Sequence, residues 1–272
     1  MATPQLLGTR VGRALETLER ADPRWLWLAA AGFFLAVVGS AGSWRSAIGL
    51  CGGRTTLADA TARYSVGSLV NTFVPARAGD ALRLGLFSRL VPGEHPVWTT
   101  GGAFVALGAA RAVVLGSLVL AGSFTGALPL WPLALAGAAI VVGCVLVRRR
   151  RIPPLGALRI VAWVALSIAG RLAAATAVGA ALGIDSPLAA ALVIIPALDI
   201  AGIVPLTPGN VGVSSAAIAA AYHVHGVSFN EGLAAGITFQ AVETGVGVLV
   251  GIAGVLRLAT LPRLRILRPS EG

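Results

Sequence analysis

Ionisable side chains inside long apolar stretches are the first candidates for chemistry, because an apolar surrounding tolerates charge only where it is paired or used. Arg111, Arg171, Asp199 and Glu243 are of this kind, and Asp59 and Arg63 stand in a shorter apolar stretch. Arg111 with Glu243 is the pair expected to meet across the two halves of the chain. Asp59 and Arg63, spaced i,i+4 with the acid first, are expected to neutralise each other on one helix face. Such pairing serves helix packing as well as it serves a polar path for a substrate, and the residue types support both.

Two motifs accompany these charges. The first is Asn71-Thr72-Phe73-Val74-Pro75-Ala76-Arg77-Ala78-Gly79-Asp80-Ala81-Leu82-Arg83. Pro75 lacks an N–H and disfavours helix in the residue before it, so a helix should end there. Gly79 permits a turn, and Asp80 is a good N-cap for a helix over 81–90. Arg77 and Arg83 near freed N–H groups combine guanidinium forks with a helix N-terminus, which is phosphate-binding chemistry. A plain capped turn with topology-setting arginines is the competing reading. The second motif, Pro205-Leu206-Thr207-Pro208-Gly209-Asn210-Val211-Gly212-Val213-Ser214-Ser215, breaks a helix amid apolar sequence. Non-helical backbone at membrane depth must line protein or a water-filled cavity, since lipid cannot satisfy it. Asn210 is placed to cap a helix beginning near Val211, and a simple interhelical turn is the alternative.

The elements that carry these motifs follow from composition. Of 272 residues, 56% are hydrophobic and only 12% charged, with mean hydropathy +0.85. Soluble domains carry about 25% charged residues, so lipid must be the solvent and the chain an all-α, polytopic transmembrane helix bundle. The net charge of +10 comes from arginine alone, in short clusters beside apolar runs rather than on a water-facing surface. That pattern fits anionic headgroups and excludes nucleic acid as a partner. Residues 1–24 read as a cytoplasmic segment with a short amphipathic helix, 25–258 as the membrane domain and 259–272 as a basic cytoplasmic tail. Candidate segments are 25–44, 55–74, 97–122, 128–147, 157–182, 187–206, 211–225 and 231–256, the first a retained span rather than a cleaved signal. Counting all eight as membrane segments puts every large arginine cluster on one side, with both termini in the cytoplasm of a multi-pass cell-membrane protein. Segments 187–206 and 211–225 are two spans or one re-entrant hairpin. Arg148–Arg151 with Pro153-Pro154 divides the chain into halves, each with a broken polar motif after its second segment, as in repeat-built transporters.

The chain resembles the lysylphosphatidylglycerol synthase transmembrane region family, also described as flippase-like. The resemblance rests on Asn71…Pro75-Ala-Arg77-Ala-Gly79-Asp80…Arg83 and on Pro205…Pro208-Gly209-Asn210-Val-Gly212-Val, in matching order over nearly the whole chain. Three positions depart from it. Ala110 precedes Arg111 where the family has a Glu-Arg pair, Ser215 replaces a Glu of the second motif, and Gln240 stands for an Arg of the last span. The resemblance implies a membrane protein that binds or translocates an anionic phospholipid or polyprenyl-phosphate-linked substrate, without the soluble aminoacyltransferase domain and so not an enzyme. Substrate contacts are expected from Asn71, Pro75, Arg77, Gly79, Asp80, Arg83, Arg111, Pro208, Gly209, Asn210, Gly212 and Glu243. The alternative is an accessory subunit of a membrane glycosyltransferase or lipid-modifying enzyme partner. No cofactor is expected, and His95, His223 and His225 lack metal-ligand spacing.

Overall fold

In the computed structural model, residues 21–74, 78–124, 153–201, 211–224 and 226–260 are described, with four helical positions at 137, 138, 141 and 145. Asp22 opens the first helix, its carboxylate accepting from the Arg24 N–H at 2.9 Å while Pro23 supplies a φ already suited to a first turn. The apolar run then propagates as α1 (Pro23–Leu50), 28 residues long and therefore about 42 Å at 1.5 Å per residue. After it come α2 (Leu57–Phe73), α3 (Ala78–Ser88), α4 (Pro96–Phe124), α5 (Pro154–Ala181), α6 (Pro187–Ala201), α7 (Val211–Val224) and α8 (Phe229–Thr260). Every regular element among the described residues is helical. Helices α1, α4, α5 and α8 are long and apolar enough to cross a membrane. The protein is thus a polytopic helical membrane protein.

Helices α1 and α5 share the most extensive helix–helix interface among the described residues, the central seam, and they run in opposite directions. The Asp22 N–H donates to the Ala181 carbonyl at one end, and Leu50 lies against Gly156 at the other. Between these ends, small residues let the backbones meet. A Cβ on Gly32 would collide with the Gly170 carbonyl, and one on Gly39 with the backbone of Ser167. Ser40 and Ser167 share a 2.8 Å hydrogen bond across the seam, and the Ser167 hydroxyl also reaches the Ala36 carbonyl at 2.9 Å. Without a hydrophobic drive between helices in lipid, close backbone approach and such bonds are what hold a pair together.

On this seam hang two hairpins that enter from opposite ends. Helix α2 starts at the end where α1 finishes, with Asp59 bonded to Arg257 at 2.8 Å near the close of α8. It runs inward until Leu69 meets Gly251, well inside α8, and α3 then folds back along it. Gly67 faces Gly79 and Arg83, and Arg63 Nη1 donates to the Leu86 carbonyl at 3.0 Å. Leu90 finally returns to Gly53, so both ends of α2–α3 lie at one end of the bundle. The mirror case is α6–α7. Pro187 and Tyr222 both pack on Gly179, near the opposite end, where Gly232 of α8 meets Ala219. Trp44, stacked on Phe87 at 4.6 Å and near Phe104 at 5.9 Å, ties α1, α3 and the start of α4 together at the first end. Phe33 meets Phe239 at 4.8 Å, which joins α1 to α8 nearer the second. Long helix, hairpin, long helix is therefore the order in both halves, with the sense reversed in the second.

This corrects the span count. Segment 55–74 is one arm of a half-depth hairpin, and of the two readings of 187–225 the structure takes the re-entrant one. Removing one crossing from the first half reverses the direction of everything after it. Helix α1 begins and α8 ends at opposite ends of the bundle, unlike the expected pair of ends on one side. Segments 1–20, 148–151 and 261–272 and most of the expected span 128–147 lie outside the described residues.

Candidate functional site

Four charged residues from four helices converge at mid-depth. Arg111 lies near the middle of α4, Arg171 in α5, Glu243 in α8, and Asp199 close to the inner end of α6. Arg111 clamps Asp199 in a bidentate pair, Nε to Oδ2 and Nη2 to Oδ1, each 2.7 Å. Arg171 Nη1 donates to the same Oδ1 at 2.8 Å, and its Nη2 lies 3.7 Å from Glu243 Oε1. Two guanidinium and two carboxylate groups make the set neutral, the condition for keeping charge away from water. It is not fully closed: the side chains of Arg111 and Glu243 are 35% and 36% exposed, against 13% for Asp199. Donors exceed acceptors. Arg171 Nε is buried with no hydrogen-bond partner, and Arg111 Nη1 makes no bond among the described residues.

The first motif forms a second polar knot inside the α2–α3 hairpin. Asn71 accepts from the Gly79 N–H at 2.7 Å and donates Nδ2–H to Asp80 Oδ1 at 3.1 Å. Asp80 does not precede its helix as a cap; α3 already starts at Ala78, and the capping oxygen comes from Asn71 across the hairpin. Arg83 uses every nitrogen: Nη1 on Asp80 at 2.6 Å, Nη2 on Ser68 Oγ at 2.9 Å, and Nε on the Tyr64 carbonyl at 3.4 Å. Its guanidinium also lies 4.1 Å from the Tyr64 ring centroid, over the face where a cation is attracted. Gly79 is required here, because a Cβ would run into the Gly67 carbonyl and the Asn71 side chain.

Of the expected site residues, Asn71, Gly79, Asp80 and Arg83 are together in this knot, whereas Arg111 and Glu243 belong to the mid-depth cluster. Pro75, Arg77, Pro208, Gly209 and Asn210 lie outside the described residues, and Gly212 is in the first turn of α7. Two expected pairs are replaced. Arg111 takes Asp199, leaving Glu243 to Arg171; Asp59 takes Arg257, leaving Arg63 to a backbone carbonyl. The residues absent from the expected set, Arg171 and Asp199, are the ones that join its members. Their signal was in the sequence as two further intramembrane charges of opposite sign, but their partners depended on how α4, α5, α6 and α8 pack together.

Neither the curated proteins nor the solved structures include a match to the chain. A family described as lysylphosphatidylglycerol synthase TM region matches in two overlapping stretches, residues 5–155 and 145–251, which take in all eight helices except the last turns of α8. With essentially the whole bundle inside that match, the chain belongs to the lysylphosphatidylglycerol synthase transmembrane-region family, membrane proteins related to lipid handling.

Proposed function

We propose that the protein binds the phosphate of an anionic lipid at the mid-depth cluster and carries that headgroup between the leaflets while the acyl chains stay in lipid. The observation that supports this reading is the Arg111–Asp199–Arg171–Glu243 set, polar and partly open, between two hairpins that enter from opposite ends. A headgroup crossing the hydrocarbon needs such groups midway, because no water is there to solvate it. Broken helices that meet at the midplane are a recurrent way to build such a site. In orientation, the end carrying Arg45, Arg54, Arg89, Arg159 and Arg257 faces the cytoplasm, and the end carrying Asp22, Asp185 and Glu231, with Arg24 its single arginine among the described residues, faces outward. The reaction is a translocation without bond chemistry, so the arginines bind and release rather than catalyse.

The test is reconstitution of the purified chain in phosphatidylcholine vesicles with a trace of fluorescent phosphatidylglycerol in both leaflets. Quencher added outside should reach the inner-leaflet label in protein-containing vesicles, and the double variant Arg111→Gln/Arg171→Gln should abolish that fraction. Quenching no greater than in protein-free vesicles would remove translocation from the reading. Equal quenching by the double variant would move the site elsewhere.

A further inference from the structure

Asp199 is held as a ligand would be. Two guanidinium groups from the two halves of the chain converge on one carboxylate oxygen, Oδ1, at 2.7 and 2.8 Å, and a third bond fixes Oδ2. A fork and a second donor on a planar or tetrahedral oxyanion is also the pattern that recognises phosphate. We propose, resting on the lipid-phosphate reading above, that Asp199 is an internal stand-in for the ligand: a phosphate group displaces its carboxylate from Arg111 and Arg171 and so frees the inner end of α6.

Charge decides for exchange over addition. The cluster is neutral, and a phosphate added to it would leave an uncompensated negative charge in a poorly solvated place. Exchange keeps the arginines paired with one oxyanion throughout, and a proton taken up by the displaced Asp199 carboxylate keeps the total charge of the cluster unchanged. It also gives the incoming group the donors that Asp199 leaves idle, Arg171 Nε and Arg111 Nη1. The element that must move is built to do so. Pro196, inside α6 and three residues before Asp199, cannot donate to the Leu192 carbonyl, which leaves the helix weak at that turn. Before Pro196, Ala190, Ala191, Ile194 and Ile195 are fully buried and anchor the outer part of α6. Beyond Pro196, Leu198 packs into the core, and Asp199 supplies the polar attachment to α4 and α5. The ligand thus shifts an equilibrium through its differential affinity for the two positions of Asp199.

The 272-residue chain in detergent is titrated with short-chain phosphatidylglycerol and, separately, with inorganic phosphate, while hydrogen exchange is followed over residues 197–201. Asp199→Asn removes the internal competitor, so affinity for the lipid should rise by about tenfold or more, the factor by which a closed state lowers apparent affinity. In the unaltered chain, lipid should speed exchange at 197–201 and leave 188–195 unchanged. If inorganic phosphate alone reproduces both effects, the ligand is a free phosphate; if only the lipid does, it is a headgroup. Should Arg111→Gln bind the lipid as well as the unaltered chain, the lipid-phosphate reading of this cluster fails. Should Arg111→Gln lose binding while Asp199→Asn binds no more tightly, the displacement proposal fails alone. Where Asp199→Asn does not fold, as judged by size exclusion, the exchange data decide: slower or unchanged exchange at 197–201 overturns displacement.

Discussion

The hairpins α2–α3 and α6–α7 occupy corresponding places in the two halves, yet they are held in opposite ways. Apart from the Asp59–Arg257 pair at its entry, the first satisfies itself: Asn71, Asp80, Arg83, Ser68 and the Tyr64 carbonyl and ring close a network within α2 and α3. The second is tied outward, its Asp199 bonded to Arg111 of α4 and Arg171 of α5. In α7 the buried Ser215 hydroxyl has no partner among the described residues, and a Cβ on Gly236 of α8 would strike the Ser215 backbone. A hairpin whose polar groups pair internally is a rigid wedge. One whose polar groups pair with the scaffold changes position when those pairs change. The difference assigns the fixed role to the first hairpin and the mobile role to the second, although the first bears the more recognisable motif.

The largest expected effect concerns the opposite entry of the two hairpins. In a chain with Cys51 and Cys144 replaced by Ser, single cysteines at the exposed positions Arg54 and Asp185 should react with an impermeant thiol reagent from opposite faces of sealed vesicles. Labelling of both from one face would break the inverted arrangement. Next is Arg83→Ala. It leaves Asp80 without its cation in a nearly buried network, and breaking a buried pair by removing one partner costs about 3–5 kcal/mol. Thermal unfolding in detergent reads the loss, and hydrogen exchange should rise across residues 64–88 while α6–α7 is unaffected. Equal loss of protection in both hairpins would show that the first is not self-contained. The smallest effect has the opposite sign. Ser215→Ala removes a buried hydroxyl that has no partner among the described residues, and should raise stability by about 1 kcal/mol. Destabilisation would mean that the hydroxyl is bonded in membrane and that the second hairpin is more tightly fastened than described.

Much of the helical layout was legible. Length and hydropathy locate α1, α4, α5 and α8 within a few residues, and the Pro75 and Gly79 signals separate α2 from α3. Depth was not legible. The 17 residues of α2 are about 26 Å long, close to a full hydrocarbon thickness, so neither length nor composition tells an arm from a span. What turns the chain back is the fit of Gly67 to Gly79 and the Asn71–Asp80–Arg83 network, contacts between residues on two helices. One miscounted crossing also reversed α5 relative to α1, and the expected Arg111–Glu243 pair gave way to Arg111–Asp199 and Arg171–Glu243. For Arg83, residue type suggested a free fork for phosphate. The structure shows each of its nitrogens already engaged, and moves the spare donors to Arg111 and Arg171.

The glycine seam between α1 and α5 has a consequence for how the protein is made. Gly32 and Gly39 press directly on the backbone of α5, which the ribosome completes only after the whole first half has emerged. At roughly 5–20 residues per second, α1 waits on the order of ten seconds in the membrane before its partner exists. During that wait its small-residue face is open to any other helix that lets backbones meet. Faithful assembly therefore depends on keeping α1 from pairing prematurely with a neighbour, and slowing translation between Leu50 and Pro154 should increase misassembled chains more than the same delay placed after Ala181.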